Sequence, residues 1–91
     1  MSDTQKLTRI FKSLSVDTRV RIVQLLKGKA LCVNALAALL EITPAAVSQH
    51  LRILRDSDLI VPEKRGYFVH YSLNGKTLVE WKETIDGLLG S

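Results

Sequence analysis

Two short helix-patterned segments, 33–40 and 44–56, lie three residues apart, and the second opens on Thr43-Pro44. That junction constrains the fold more than any other feature of the chain. A threonine at the N-cap accepts from helix N–H groups that have no partner inside the helix. A proline next to it has its φ already set for the first helical position. The second segment places Val47, Leu51 and Leu54 at i, i+4 and i+7, one face of a helix. Two strand patterns follow. Leu59-Ile60-Val61 is the first, and Tyr67–Leu73 alternates Tyr67, Val69, Tyr71 and Leu73 against Phe68, His70 and Ser72. Lys64-Arg65-Gly66 between them is expected to form a hairpin tip. Two short helices, a tight turn and then a hairpin is the order of a helix-turn-helix with a wing.

The flanks are helical as well. Over 4–14, Leu7, Ile10, Phe11 and Leu14 recur at i, i+3, i+4 and i+7. A second helix is expected from an N-cap at Ser15, with Asp17 favourable in its first turn, to a left-handed Gly28. Ala30-Leu31-Cys32 is expected as a short link or a single strand residue pair. Asn74-Gly75 reads as a turn, and 76–89 as a last helix carrying Leu78, Trp81, Ile85 and Leu88 and ending at Gly90. The fold class is therefore mainly α with a small β-hairpin: a winged helix-turn-helix with about five helices. Residues 33–56 form the helix-turn-helix and 59–73 the wing. With 91 residues the chain is expected to form a single domain spanning 1–91.

Several function classes fall away. The chain is 46% hydrophobic and 24% charged, which suits a packed core and argues against disorder. No apolar run approaches the roughly 18 residues needed to span a bilayer. The polar start, Met1-Ser2-Asp3-Thr4-Gln5-Lys6, does not read as a signal peptide, so a cytoplasmic location is expected. Cys32 is the only cysteine, which excludes an internal disulfide and a zinc site built on several thiolates. No paired carboxylates, nucleophile–base pair or glycine-rich phosphate loop is present, so neither an enzyme nor a bound cofactor is expected.

Charge points to an acidic partner. Lys and Arg number 13 against 9 Asp and Glu, a net of +4. Residues 1–29 carry seven basic and two acidic side chains, while residues 30–91 carry six and seven. The basic excess thus sits on the first two helices and does not itself locate a groove-facing element. Helical geometry puts Ala45, Gln49 and Arg52 opposite the apolar stripe of 44–56, with Ser48 beside them. Small residues at Ala45 and Ala46 let the start of this helix approach a duplex closely. Gln49 suits paired hydrogen bonds to adenine, Ser48 a base or phosphate, and Arg52 a phosphate or guanine. Thr43, His50, Lys64, Arg65 and Tyr67 complete the expected DNA-binding set. His50, at the edge of the stripe, also fits a packed, hydrogen-bonded imidazole, and His70 reads as a surface histidine. A winged-helix module that meets protein instead of DNA is the alternative reading.

Three stretches, at their mutual spacing, carry a resemblance. These are Thr18-Arg19-Val20-Arg21-Ile22, Val47-Ser48-Gln49-His50-Leu51, and Val69-His70-Tyr71-Ser72-Leu73. Over nearly its whole length the chain resembles the arsenical-resistance-repressor (ArsR) family. That resemblance implies a homodimeric winged-helix repressor that binds an imperfect inverted repeat and is released by an inducer. It also implies that the first and last helices pack across a two-fold axis. Leu7, Ile10, Phe11, Leu14, Leu78, Trp81, Ile85 and Leu88 would then form the interface. Double-stranded DNA and a second copy of the chain are the expected partners.

The sequence departs from the family pattern where metal-responsive members carry Cys-Val-Cys. Here Cys32-Val33-Asn34 keeps one thiol, and a soft-ion site needs two or three. No metal site is therefore expected, and the inducer is unknown. Cys32 has three readings: a small buried residue at the start of a helix, a redox-sensitive thiol, or a remnant of a metal site. Glu41 stands where the family turn often has Gly or Asn, and a positive φ there would cost about 1 kcal/mol.

Overall fold

A computed structural model describes residues 2–90. Five helices and three short strands follow in the order α1 (Asp3–Ser13), α2 (Asp17–Leu25), β1 (Leu31–Cys32), α3 (Val33–Leu40), α4 (Pro44–Asp56), β2 (Ile60–Arg65), β3 (Phe68–Leu73) and α5 (Gly75–Leu89). Local chemistry sets most of these boundaries. Ser2 and Gln5 close a capping box on α1: the Gln5 amide donates to Ser2 Oγ at 3.2 Å, and the Ser2 amide donates to Gln5 Oε1 at 3.0 Å. Thr43 caps α4 by accepting the Ala46 amide at 3.1 Å, with Pro44 as the first helical residue.

Two helix starts differ from expectation. Val16, not Ser15, is the N-cap of α2 and gives it no side-chain bond. Ser15 instead donates its hydroxyl to the Lys12 carbonyl at 2.8 Å, completing the end of α1. Asn74-Gly75 is not a free turn. Asn74 Oδ1 accepts from the Thr77 amide at 3.4 Å, so Asn74 caps α5 and Gly75 is its first residue. Both differences have one cause. Ser and Asn side chains satisfy whichever terminal backbone group lies within reach, so their presence marks a helix end without fixing which one.

The hairpin is longer than its apolar pattern and belongs to a three-stranded antiparallel sheet in the order β1-β3-β2. β2 runs through Pro62 to Arg65, pairing Ile60 with Leu73 and Arg65 with Phe68. Proline is tolerated there because β2 is an edge strand, where an amide facing away from the sheet has no ladder partner to lose. Lys64 and Arg65 are therefore strand residues, and the tip is Gly66-Tyr67. Gly66 has a φ of +62° and Tyr67 has no positive φ, the pattern of a type II′ hairpin turn. β1 pairs Leu31 with Tyr71 and Cys32 with His70 on the other edge of β3. Gly28, with a φ of +72°, makes the left-handed bend that turns the chain from α2 toward this strand.

The core gathers Ile22 and Leu26 of α2, Leu36 and Leu40 of α3, Val47, Leu51 and Leu54 of α4, and Leu59 and Ile60. Tyr71 and Leu73 of β3 pack against it, so the alternation read from the sequence turns one face of the strand inward. Among the described residues two non-glycine residues hold positive φ, Glu41 at 56° directly after α3 and Asp58 at 61° two residues past the end of α4. Ile42 donates its amide to the Ala37 carbonyl at 3.2 Å, and Leu59 to Leu54 at 3.0 Å. These six-to-one bonds are Schellman endings, which need a left-handed residue one position earlier. They close α3 into the turn and α4 into the wing.

Candidate nucleic-acid interface

The inward stripe of α4 fixes what its other side shows. Val47, Leu51 and Leu54 are buried, which leaves Ala45, Ser48, Gln49 and Arg52 exposed on the opposite side. Thr43 is exposed at the helix start, and Ala46 and His50 lie half-buried on its flank. No hydrogen bond to the half-buried His50 ring occurs among the described residues, so the bond expected of a packed imidazole is missing. The start of α4 combines a small-residue surface with exposed polar side chains. That combination suits close approach to a polyanion.

A groove of about 540 Å³ separates α4 from β3 and is lined by Ser48, Arg52, Arg55, Asp56 and Tyr71. Arg55 was missed by the sequence reading. Its spacing of i+3 from Arg52 and i+7 from Ser48 is the signal that places it on the same strip. On the wing, Lys64, Arg65 and Tyr67 are exposed, and Tyr67 at the tip has essentially no contact with the rest of the chain at 101% relative exposure. Arg65 Nη2 meets Glu63 Oε2 at 3.3 Å, with both side chains more than half exposed. Such a surface pair contributes little and leaves the guanidinium free to exchange partners.

The remaining sequence-derived residues are more dispersed. Ile10 is buried within the chain at 2% exposure. Leu14, Leu78 and Trp81 partly cover the chain's own core, and Leu7 and Ile85 are half-buried. Phe11 and Leu88 are exposed at 46% and 51%, and Val79 and Leu89, which the stripe pattern did not include, at 59% and 76%. Cys32 is a free, half-buried residue in the N-cap position of α3, where it makes no capping bond. His70 is not a surface histidine. It is half-buried between Cys32 of β1 and Glu63 of β2, and its Nδ1 is sealed from solvent without a partner. The added strand β1 covers one edge of β3, which a two-stranded hairpin would have left open. Among the described residues no group of three His, Cys, Asp or Glu side chains is placed to hold a metal ion.

Sequence and fold together match one group of proteins. Residues 17–61 match the model of the bacterial regulatory protein arsR family. The transcriptional repressor SdpR of Bacillus subtilis is 35% identical over 72 residues, which span 79% of this chain and 80% of that protein. The chain belongs to the ArsR family. A cadmium resistance transcriptional regulatory protein CadC homolog of Staphylococcus aureus is 40% identical over 78 residues, 81% of this chain but 64% of that longer protein. A crystal structure of a possible transcriptional regulator for arsenical resistance superposes with a TM-score of 0.80 at 34% identity, covering 89% of this chain and 84% of that one. As an ArsR-family regulatory protein, the molecule works by binding DNA and not by catalysis.

Proposed function

We propose that the chain is a homodimeric, cytoplasmic repressor that places α4 of each subunit in successive major grooves of an inverted-repeat operator. One observation carries this reading: the outer side of α4 presents Ser48, Gln49 and Arg52 together, exposed and opposite a fully buried stripe. Gln49 is assigned to base reading, Ser48 and Arg52 to a base edge or the adjoining phosphate, and Thr43, Ala45 and Ala46 to close backbone approach. His50 is assigned to the rim of the same contact. Lys64, Arg65 and Tyr67 on the wing are assigned to the neighbouring minor groove and its phosphates.

A two-fold pair would set the two α4 helices about 34 Å apart, one turn of duplex. Phe11 and Leu88, with Leu7 and Ile85 beside them, offer the apolar surface for that pairing. Leu14, Leu78 and Trp81 contribute their outer edges, and Ile10 supports the interface from within its own subunit. Among the described residues no helix is long and apolar enough to cross a membrane. Relatives named for cadmium and arsenical resistance suggest thiophilic ions as signals, but one cysteine per subunit falls short of the two or three thiolates such ions need. A thiolate-bound metal is therefore not assigned as the signal that releases this chain, and the inducer is unknown.

The test is selection of bound fragments from random duplex DNA, repeated with thiol oxidants and a panel of metals. An enriched inverted repeat with half-sites one turn apart is the expected outcome. Equal retention of every duplex and of heparin would overturn the proposal.

A further inference from the structure

Part of the basic excess of residues 1–29 acquires a location in the folded chain. Arg9 and Lys12 of α1 and Arg19 of α2 line one open cavity of about 480 Å³ that runs along α4 at Ile53. Ser15 lies on the same wall with its hydroxyl donated to the Lys12 carbonyl, and Asp56 is the single acidic group there. The ion pair between Arg65 and Glu63 is the only one among the described residues, so none of the three cations is paired with a carboxylate. Nε of Arg19 is sealed from solvent and has no hydrogen-bond partner. A buried donor without an acceptor is rare and leaves the Arg19 charge uncompensated, so a cavity lined by this guanidinium and two further cations is suited to an anion.

The position of the cavity identifies that anion. Ile53 follows Gln49 by four residues, so the cavity opens one helical turn from the side chain assigned to base reading. Ile53 and Arg55 project to nearly opposite flanks of α4, so Arg55 and the wing-side groove lie across Asp56, which borders both cavities. A helix seated in a major groove runs between two phosphate strands, and the wing side already has its cations. We propose that Arg9, Lys12 and Arg19 form a phosphate clamp for the DNA strand on the α1–α2 side of the recognition helix. This rests on the DNA-binding reading above and adds a second backbone contact to it. The clamp positions α4 without reading sequence, and Asp56 limits its strength by repelling the same phosphate.

The experiment compares the unaltered chain with Arg9→Gln, Lys12→Gln and Asp56→Asn on one selected duplex, across a salt series. Arg9, Lys12 and Asp56 are exposed, so circular dichroism is expected to show all three variants folded. Each lost phosphate contact lowers the slope of log affinity against log salt by about 0.9. Between about 50 and 200 mM salt, Arg9→Gln and Lys12→Gln should therefore each lose about 3.5-fold less affinity than the parent, with base preferences unchanged. Asp56→Asn should bind more tightly than the parent at low salt. Unchanged slopes in both cation variants would refute the clamp while leaving the DNA reading intact. Failure of the unaltered chain to bind any duplex would sink both. A direct probe is the NMR signal of the Arg19 Nε–H, which should shift on adding duplex. A shift with inorganic phosphate and none with duplex would overturn the assignment in favour of a free-phosphate site.

Discussion

Glu41 offers a sharp test of how the helix-turn-helix is held. It sits at φ 56° and ψ 41°, near the centre of the left-handed region, and Ile42 closes the Schellman bond across it to Ala37 at 3.2 Å. A residue bearing a Cβ carries about 1–2 kcal/mol of strain in that conformation. Glycine removes the strain but adds roughly 0.5–1 kcal/mol of backbone freedom to the unfolded chain. The carboxylate also faces the negative end of α3, which for an exposed group costs roughly 0.3 kcal/mol. Glu41→Gly is therefore expected to stabilise the protein by about 1 kcal/mol, or about 4–8 °C in Tm for a domain of this size. Glu41→Gln relieves the charge and keeps the Cβ, so it should gain only a few tenths of a kcal/mol. Urea unfolding at one fixed protein concentration separates the two variants, with a raised midpoint and an unchanged m-value expected for the glycine variant. If glycine gave no more than glutamine, left-handed strain at this turn would be refuted. Asp58 has the same geometry at the end of α4, with φ 61°. Its gain on conversion to glycine should be smaller, because aspartate enters the left-handed region more readily.

Leu54→Ala empties a fully buried position at the end of the α4 stripe. It should cost about 2–5 kcal/mol, read as a lowered thermal midpoint, and a loss under 1 kcal/mol would contradict the core described for this helix. Gln49→Ala should flatten preference at one base pair, losing about 1–3 kcal/mol of discrimination while the fold is retained. An unchanged selected motif would show that Gln49 does not read a base. Light scattering should give twice 10.2 kDa for the parent, and Phe11→Glu should reduce this to a single chain with unaltered circular dichroism. A Phe11→Glu chain that remained paired would move the interface elsewhere.

Much of the helical framework was legible from neighbouring residues. Thr43-Pro44 fixed the start of α4 to the residue, and Val47, Leu51 and Leu54 fixed which side turned inward. The reading was weaker wherever a residue had two possible partners. Ser15 completes α1 and does not cap α2, Asn74 caps α5 and does not end a turn, and Pro62 sits inside a strand because that strand is an edge. Ile10 satisfied the pattern of an interface residue, yet the chain buries it by itself. A stripe shows that a helix face is covered and leaves open what covers it.

By itself the sequence determined the number of helices, their faces and the tight turn between α3 and α4. These depend on capping and on contacts three or four residues apart, which repeat wherever the same residues recur. Only the tertiary structure decided that β1 joins β3, that His70 lies half-buried between Cys32 and Glu63 with its Nδ1 sealed, and that Arg9, Lys12 and Arg19 meet beside α4. Those juxtapositions come from packing segments far apart in the chain around one core. No periodicity within a single segment encodes that packing.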